Sequence, residues 1–238
     1  MPEWFEEWFN EDYLALYPHR DDADATRLIG LLRSALPWTP GWRVLDVACG
    51  PGRHARAITS AGARCFGLDL SMALLRRARA VTGIPLIRAD MRRIPVRPHS
   101  MDLALNLFTS FGYFDDDRHH RAALREMVAT VRHGGWFAMD FLNAPRVRAA
   151  LVPSESTTLG STQVEVARAV TQDGRFVRKS IRAADGRTWE ERVRLFEPAE
   201  LESLLEEAGV DVSARFGDYD GGPLTPDAPR AVLTGVVR

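Results

Sequence analysis

Cysteine is scarce in this chain of 238 residues, which carries only Cys49 and Cys65. Two thiols cannot build a disulfide framework, and usage this low suits a reducing compartment, so both are expected free. Long apolar runs are missing too; none approaches the roughly 20 residues that a membrane span requires. The N-terminus, MPEWFEEWFNEDY, is acidic and aromatic where a signal peptide would be basic and then apolar. A cytoplasmic protein without membrane attachment is expected. Nor does charge of one sign dominate. With 31 basic and 32 acidic residues the formal net charge is −1, which leaves no global field to recruit nucleic acid or an anionic surface. Adjacent helical residues do not face one ligand, so the His119-His120 pair is expected at the surface, and no metal is expected. What the chain does have is length: a fold of this size buries roughly 70–75% of its unfolded surface and needs no staples.

The stretch that organises the chain is 42–58, WRVLDVACGPGRHARAI. Val44, Leu45 and Val47 read as a buried strand. Ala48-Cys49-Gly50-Pro51-Gly52 ends it, and from Arg53 the pattern is helical, with Ala55, Ala57 and Ile58 suited to packing. Small residues between a strand and a helix let a ligand lie against backbone amides and the positive end of the helix dipole. The Gly-Lys-Ser/Thr ending of a phosphate loop is absent, as is the three-glycine dinucleotide fingerprint. Asp46, ahead of the glycines, would repel a pyrophosphate and attract an ammonium group. The expected ligand is zwitterionic.

Before this stretch, Trp4, Phe5, Trp8, Phe9, Tyr13 and Tyr17 recur at spacings of three and four, predicting a helix or helix pair over 3–17 that packs on the core or closes as a lid. Another helix is predicted over 23–35. Beyond it, strands over 63–70, 85–89, 101–107 and 136–141 alternate with helices over 71–81, capped by Ser71, and 117–131. This alternation predicts an α/β fold, a mainly parallel sheet with helices on both faces. A last helix over 199–208 and strands over 210–216 and 231–237 bring the sheet to seven strands. Three alternating runs, 163–171, 176–183 and 188–196, meet at Asp173-Gly174 and Asp185-Gly186 and predict an inserted antiparallel meander.

In a parallel sheet, ligands bind beyond the carboxyl ends of the strands, and here the first three strands each end in an acid: Asp46, Asp69 and Asp90. One such acid is an ordinary cap or turn residue; three, after a glycine-bearing loop, are a specific combination. Leu45-Asp46-Val47-Ala48-Cys49-Gly50-Pro51-Gly52 resembles motif I of the class I S-adenosylmethionine-dependent methyltransferases, with Ala48-Cys49 where many members carry a glycine and another small residue. The resemblance runs from about residue 44 to 141. It implies a Rossmann-like sheet and S-adenosylmethionine as cofactor. It also places Ala48, Cys49, Gly50 and Gly52 on the methionine part, with Asp46 toward its ammonium group. Asp69, followed by Leu70, would take the ribose hydroxyls, which suit the two oxygens of a carboxylate. Asp90 would accept from the adenine amino group with Met91 against the ring, and Asn106-Leu107 would lie near the transferred methyl. The methionine carboxylate needs a cation, for which Arg20 is the first candidate, ahead of His19, Arg53 and His54.

Known acceptor signatures are missing: there is no Asn/Asp-Pro-Pro-aromatic sequence for base amines and no Pro-Cys nucleophile for pyrimidine carbon. The aromatic N-terminus, the NLFTSFGYF segment and the meander resemble bacterial small-molecule methyltransferases, including those acting on amino-sugar nitrogens and small amines. Tyr13, Tyr17, Phe108 and Tyr113 would shape the acceptor pocket. The expected activity is methyl transfer to the nitrogen or oxygen of a small molecule, by a monomer or homodimer, with no catalytic residue singled out. The expected division is a helical lid over 1–40, a cofactor-binding core over 41–142, the inserted β subdomain over 143–197, and the closing helix and strands over 198–238. Two alternatives stay open: an RNA or protein acceptor, and a module that binds the cofactor without methylating. A nicotinamide-dependent dehydrogenase would retain Asp69 but has no use for Asp46.

Overall fold

β-branched and leucine-rich runs form the centre of the larger of two sheets, and their burial sets everything around them. The computed structural model describes residues 3–17 and 22–238. In chain order its elements are α1 (Trp4–Trp8), α2 (Glu11–Leu16), α3 (Asp22–Ala35), β1 (Arg43–Val47), α4 (Arg53–Ser60), β2 (Arg64–Asp69), α5 (Met72–Val81), β3 (Leu86–Arg88), β4 (Met101–Asn106), α6 (Asp117–Ala129), β5 (Val131–Leu142), α7 (Ala144–Ala150), β6 (Ser154–Leu159), β7 (Thr162–Val170), β8 (Phe176–Ala183), β9 (Thr188–Arg194), α8 (Pro198–Glu207), β10 (Val210–Phe216) and β11 (Arg230–Val237).

The larger sheet has the order β10-β11-β5-β4-β1-β2-β3. Strands β1 to β5 are parallel, and β11 runs antiparallel to both β5 and β10. Strand order reverses between β1 and β4, the place where such sheets open a crevice. Side chains of β1 alternate between two cores. Leu45 and Val47 pack with Leu124, Met127 and Leu201, and Val44 packs with Leu28, Leu32 and Ile58. Each such side chain stabilises the fold by about 1.5–3 kcal/mol through burial. A strand covered on both faces favours apolar side chains at every position, and Asp46 is the one polar residue buried within β1.

The smaller sheet has four antiparallel strands, β6-β7-β8-β9, one more than the three predicted. The extra strand, β6, is the polar run SESTTL, exposed along most of its length, and it turns into β7 at Gly160 with φ 60°. An edge strand with no apolar face carries no period-2 signal. The aromatic stripe is a helix pair: Asn10 divides it, its side chain accepting from the backbone N–H groups of Asp12 at 2.8 Å and Tyr13 at 3.3 Å. Trp8, Tyr13 and Leu16 then pack against Val164, Val166 and Ile181 of the smaller sheet. Helix α7 was not foreseen; Pro145 stands in its first turn, a position proline favours.

His120 corrects the surface expectation for the histidine pair. It is fully buried, ringed by Phe111, Phe114 and Phe196, and accepts the Phe114 N–H at 3.3 Å. On α6 it shares a stripe with Ala123, Leu124 and Met127, so helical spacing turns it inward while His119 stays exposed. Burial pushes its pKa down to about 4. Both cysteines are free and buried. Among the described residues no helix is long and apolar enough to cross a membrane.

Gly52 starts α4 at φ 87°, and a Cβ there would lie 2.8 Å from Thr82 Cγ2 and 3.3 Å from Ala78 Cβ. Gly52→Ala is therefore expected to lose at least about 1–2 kcal/mol to left-handed strain, lowering Tm by about 2–8 °C. Adding Thr82→Ser, which removes Cγ2, should restore part of the loss; thermal melts of the single and double variants check both.

Candidate active site

The turn after β1 is built from left-handed backbone, with φ 59° at Ala48, 55° at Gly50 and 87° at Gly52. Ala48 pays roughly 1–2 kcal/mol for a conformation that glycine adopts freely, and strain of this kind gathers at functional sites. A Cβ on Gly50 would meet no atom within 4 Å, so its backbone faces open space. Asp69, at the tip of β2, holds the turn in place. Its Oδ2 accepts the Gly50 N–H at 2.8 Å and its Oδ1 accepts the Ser71 N–H at 2.8 Å. Ser71 in turn caps α5 by accepting the Leu74 N–H at 3.2 Å.

These elements wall a cavity of about 490 Å³, a size typical of ligand sites. Of the residues expected to hold cofactor, Ala48, Cys49, Gly50, Asp69, Leu70, Asp90, Met91 and Leu107 line it, as do Tyr13, Phe108 and Tyr113. Arg53 and His54 line it too, whereas Arg20 and His19 lie outside the described residues. Three expected residues sit behind the wall. Gly52 packs on α5 as described, and Asn106 is buried between strands, its Nδ2 donating to Val47 O at 3.3 Å. Asp46 is buried beneath the turn, and its Oδ2 has no hydrogen-bond partner among the described residues.

Burial dominates the electrostatics here. It raises the Asp46 pKa to about 7, helped by the charge of Asp69 and opposed by Arg53. Burial likewise lifts Asp69 to about 6 against the pull of the backbone N–H groups of Ser71, Gly50 and Leu70. His54 is driven down to about 3 by burial, then by Arg53 and Arg230, so its ring is neutral. Asp90 differs: burial pushes it up, but the hydrogen bonds and charge of Arg92 outweigh that and hold it below the ordinary range. Arg92 also donates to Glu3 at 3.2 and 2.5 Å, tying the N-terminal helices to the loop after β3.

A second cavity, about 340 Å³, lies against the first and shares Phe9, Tyr13, Phe108 and Tyr113 with it. The smaller sheet roofs it. Tyr17 lines neither cavity; its hydroxyl donates to Glu191 Oε1 at 3.4 Å. The shared wall at Phe108-Thr109 has two consecutive left-handed residues, φ 55° and 61°. Asp140 holds them: its carboxylate accepts the Phe108 N–H at 2.9 Å, the Tyr219 hydroxyl at 2.8 Å and Arg230 Nε at 2.7 Å. Its carbonyl accepts the Thr109 N–H at 2.9 Å, and Arg230 Nη2 donates to Thr109 Oγ1 at 2.9 Å. The guanidinium of Arg53 lies 4.3 Å from the centre of the Phe108 ring. None of this network was foreseen, although an acid inside the apolar run of β5 was a visible signal.

Residues 44–135 match the family model described as a methyltransferase domain. The chain is 32% identical over 154 residues to a demethylmenaquinone methyltransferase of Mycobacterium bovis, a match covering 63% of this chain and 63% of that protein. A S-adenosylmethionine-dependent methyltransferase from Clostridium acetobutylicum superposes with a TM-score of 0.79 over 94% of this chain and 96% of its own, at 15% identity. The sugar N-methyltransferase KedS8 from Streptoalloteichus superposes at 0.71 over 96% and 94%, at 23% identity. The seven-stranded sheet with its crevice is thus a Rossmann-like methyltransferase fold. Residues 44–135 thus carry a methyltransferase domain, in a chain that spans less than two thirds of the length of the curated relative it matches.

Asp46 gives a pH test. Its pKa rises from 3.8 to about 7 on folding, so between those values the folded state holds the proton more tightly and this group's contribution to stability falls as pH rises. An asparagine in its place would carry no such dependence. Asp46→Asn is expected to gain on the wild type by about 2–4 kcal/mol between pH 5 and pH 8, read from melts of the ligand-free proteins. A difference independent of pH would contradict the assignment.

Proposed function

We propose that this chain transfers the methyl group of S-adenosylmethionine to a nitrogen or oxygen atom of a small molecule. The observation that carries this reading is the pair of cavities meeting at the carboxyl end of β4, with Phe108 and Tyr113 in the wall of both. A protein that only sensed the cofactor would have no need of the second cavity. The names of the similar proteins, which concern a quinone and a sugar nitrogen, support a small-molecule acceptor. The chain's near-neutral charge supports it against RNA.

The first cavity fits the cofactor in three respects. Asp46 Oδ2 is a buried acceptor in want of a donor, which an ammonium group supplies directly or through water. The Gly50 backbone leaves open space for the methionine part between Ala48, Cys49 and Gly50. Each Asp69 oxygen accepts one backbone N–H and keeps a second lone pair for a ribose hydroxyl. Asp90, Met91 and Leu70, which line the same cavity, would hold the adenine end, and Leu107 and Phe108 would lie toward the methyl. Among the described residues Arg53, which lines this cavity, would supply the cation for the methionine carboxylate. When bound, the cofactor supplies a sulfonium-activated methyl group. The protein's share is to align acceptor and donor and to exclude water. An amine acceptor needs only its neutral form, and a hydroxyl acceptor gains from a positioned base or electrostatic stabiliser.

Calorimetric titration with S-adenosylmethionine, S-adenosylhomocysteine and NAD should give micromolar binding of the first two and none of the third. Silence from the first two in folded protein would overturn the reading. Asp69→Ala should weaken S-adenosylhomocysteine binding by roughly 30-fold or more while losing about 1–3 kcal/mol of stability through its two unpartnered amides. Stability loss with unchanged affinity would remove Asp69 from the ribose site.

A further inference from the structure

Across β7, β8 and β9 the inner face of the smaller sheet is apolar between 164 and 193 except for one row. Strand register sets Val166, Ile181 and Trp189 in one rung and Val170, Val177 and Val193 in another. Between them run Arg168 on β7, Lys179 on β8 and Glu191 on β9, and all three line the second cavity. Lys179 is the single lysine of the chain; every other member of its 31 basic residues is arginine.

The charges in this row do not balance within the cavity. Glu191 Oε1 serves three donors: Trp8 Nε1 at 2.7 Å, the Tyr17 hydroxyl at 3.4 Å, and Lys179 Nζ at 3.7 Å. Arg168 pairs with Glu155, whose half-exposed side chain lies outside the cavity wall. The remaining basic wall residue, Arg230, is held by the buried carboxylate of Asp140. Arg168 and Lys179 are direct cross-strand partners, and like charges in that relation repel. Lys179 is also largely buried, which pushes its pKa down, with Glu191 pulling the other way. An anion between the two cations would relieve both the repulsion and the burial.

Resting on the methyl-transfer reading, we propose that Arg168 and Lys179 anchor an oxyanion of the acceptor, a carboxylate or a phosphate monoester. The acceptor's apolar body then lies against Val177 and Val193, with its reacting nitrogen or oxygen toward Phe108 and Thr109. The two cations are specificity-determining residues, selecting acceptors that carry a negative charge away from the reacting atom.

Protein grown with ¹³C-lysine carries one labelled side chain, so a single Cε–Hε signal reports on Lys179. Loaded with S-adenosylhomocysteine, it is titrated with 4-hydroxybenzoate, phenyl phosphate, methyl 4-hydroxybenzoate and 4-hydroxybenzylamine. The signal should shift saturably with one or both anions, and the comparison of carboxylate with phosphate tells which oxyanion the site takes. The neutral ester and the amine should bind at least tenfold more weakly. Lys179→Met and Arg168→Gln should each lower anion affinity at least fivefold by ligand-observed NMR, Lys179→Arg should retain it, and all three should bind S-adenosylhomocysteine within twofold of wild type. Equal binding of acid and ester, preference for the amine, no saturable binding of either anion, or unchanged affinity in the Met and Gln variants overturns the proposal. Failure of S-adenosylhomocysteine to bind the wild type would instead sink the methyl-transfer reading, and the same titration of ligand-free protein then tests the oxyanion site by itself.

Discussion

One buried carboxylate sets the shape of the crevice. Asp140 has no solvent contact, and its two oxygens accept from Phe108 N–H, the Tyr219 hydroxyl and Arg230 Nε. An unpaired buried charge is costly, so the three donors must assemble around it together. In doing so they fix two neighbouring residues, Phe108 and Thr109, in left-handed backbone that costs about 1–2 kcal/mol each. Hydrogen bonds to a charged group contribute about 1.5–3 kcal/mol apiece, enough to offset that strain. Burial and the charge of Asp140 push the Tyr219 hydroxyl up, which keeps it protonated as a donor. The wall common to both cavities thus depends on an ion that touches neither.

The parts of the fold legible in the sequence were those whose signal is local. β1, β2 and β4 are buried on both faces and read as apolar runs, and the acids at two strand tips, Asp69 and Asp90, are found on the cavity wall. The turn glycines were legible as well, although Gly52 is required by the Thr82 side chain and not by open space for a ligand. What escaped was set by pairing across distance. Asp140 meets Arg230 because β5 and β11 pair antiparallel with Asp140 opposite Val232, two residues from Arg230, and no local pattern links positions so far apart in the chain. β6 escaped because an exposed edge needs no apolar alternation. His120 was misplaced because a polar residue type outweighed its position on an apolar stripe.

The N-terminal helices belong to the site as much as the sheet does. Trp4 Nε1 donates to Tyr113 O at 3.2 Å, Ser71 Oγ donates to Phe9 O, and Glu3 meets Arg92 beside Asp90. Each bond joins the helix pair to a residue at or next to the first cavity. Removing that pair would strip Phe5, Phe9 and Tyr13 from its wall. The aromatic stripe therefore packs on the core and lines the cavity at once.

Cys49 stands in the middle of the binding turn, yet it is a poor target for chemistry. Its thiol is buried, packed so closely that a Cβ on Gly67 would lie 2.8 Å from its Sγ. Burial, with the nearby charges of Asp46 and Asp69, pushes its pKa well above the ordinary value. Oxidants and alkylating agents attack the thiolate, and they need access to it. Both are denied while the fold is closed. The durability of the turn under oxidative stress is then a matter of opening frequency, governed by local unfolding of the sheet around it, and the intrinsic reactivity of sulfur hardly enters.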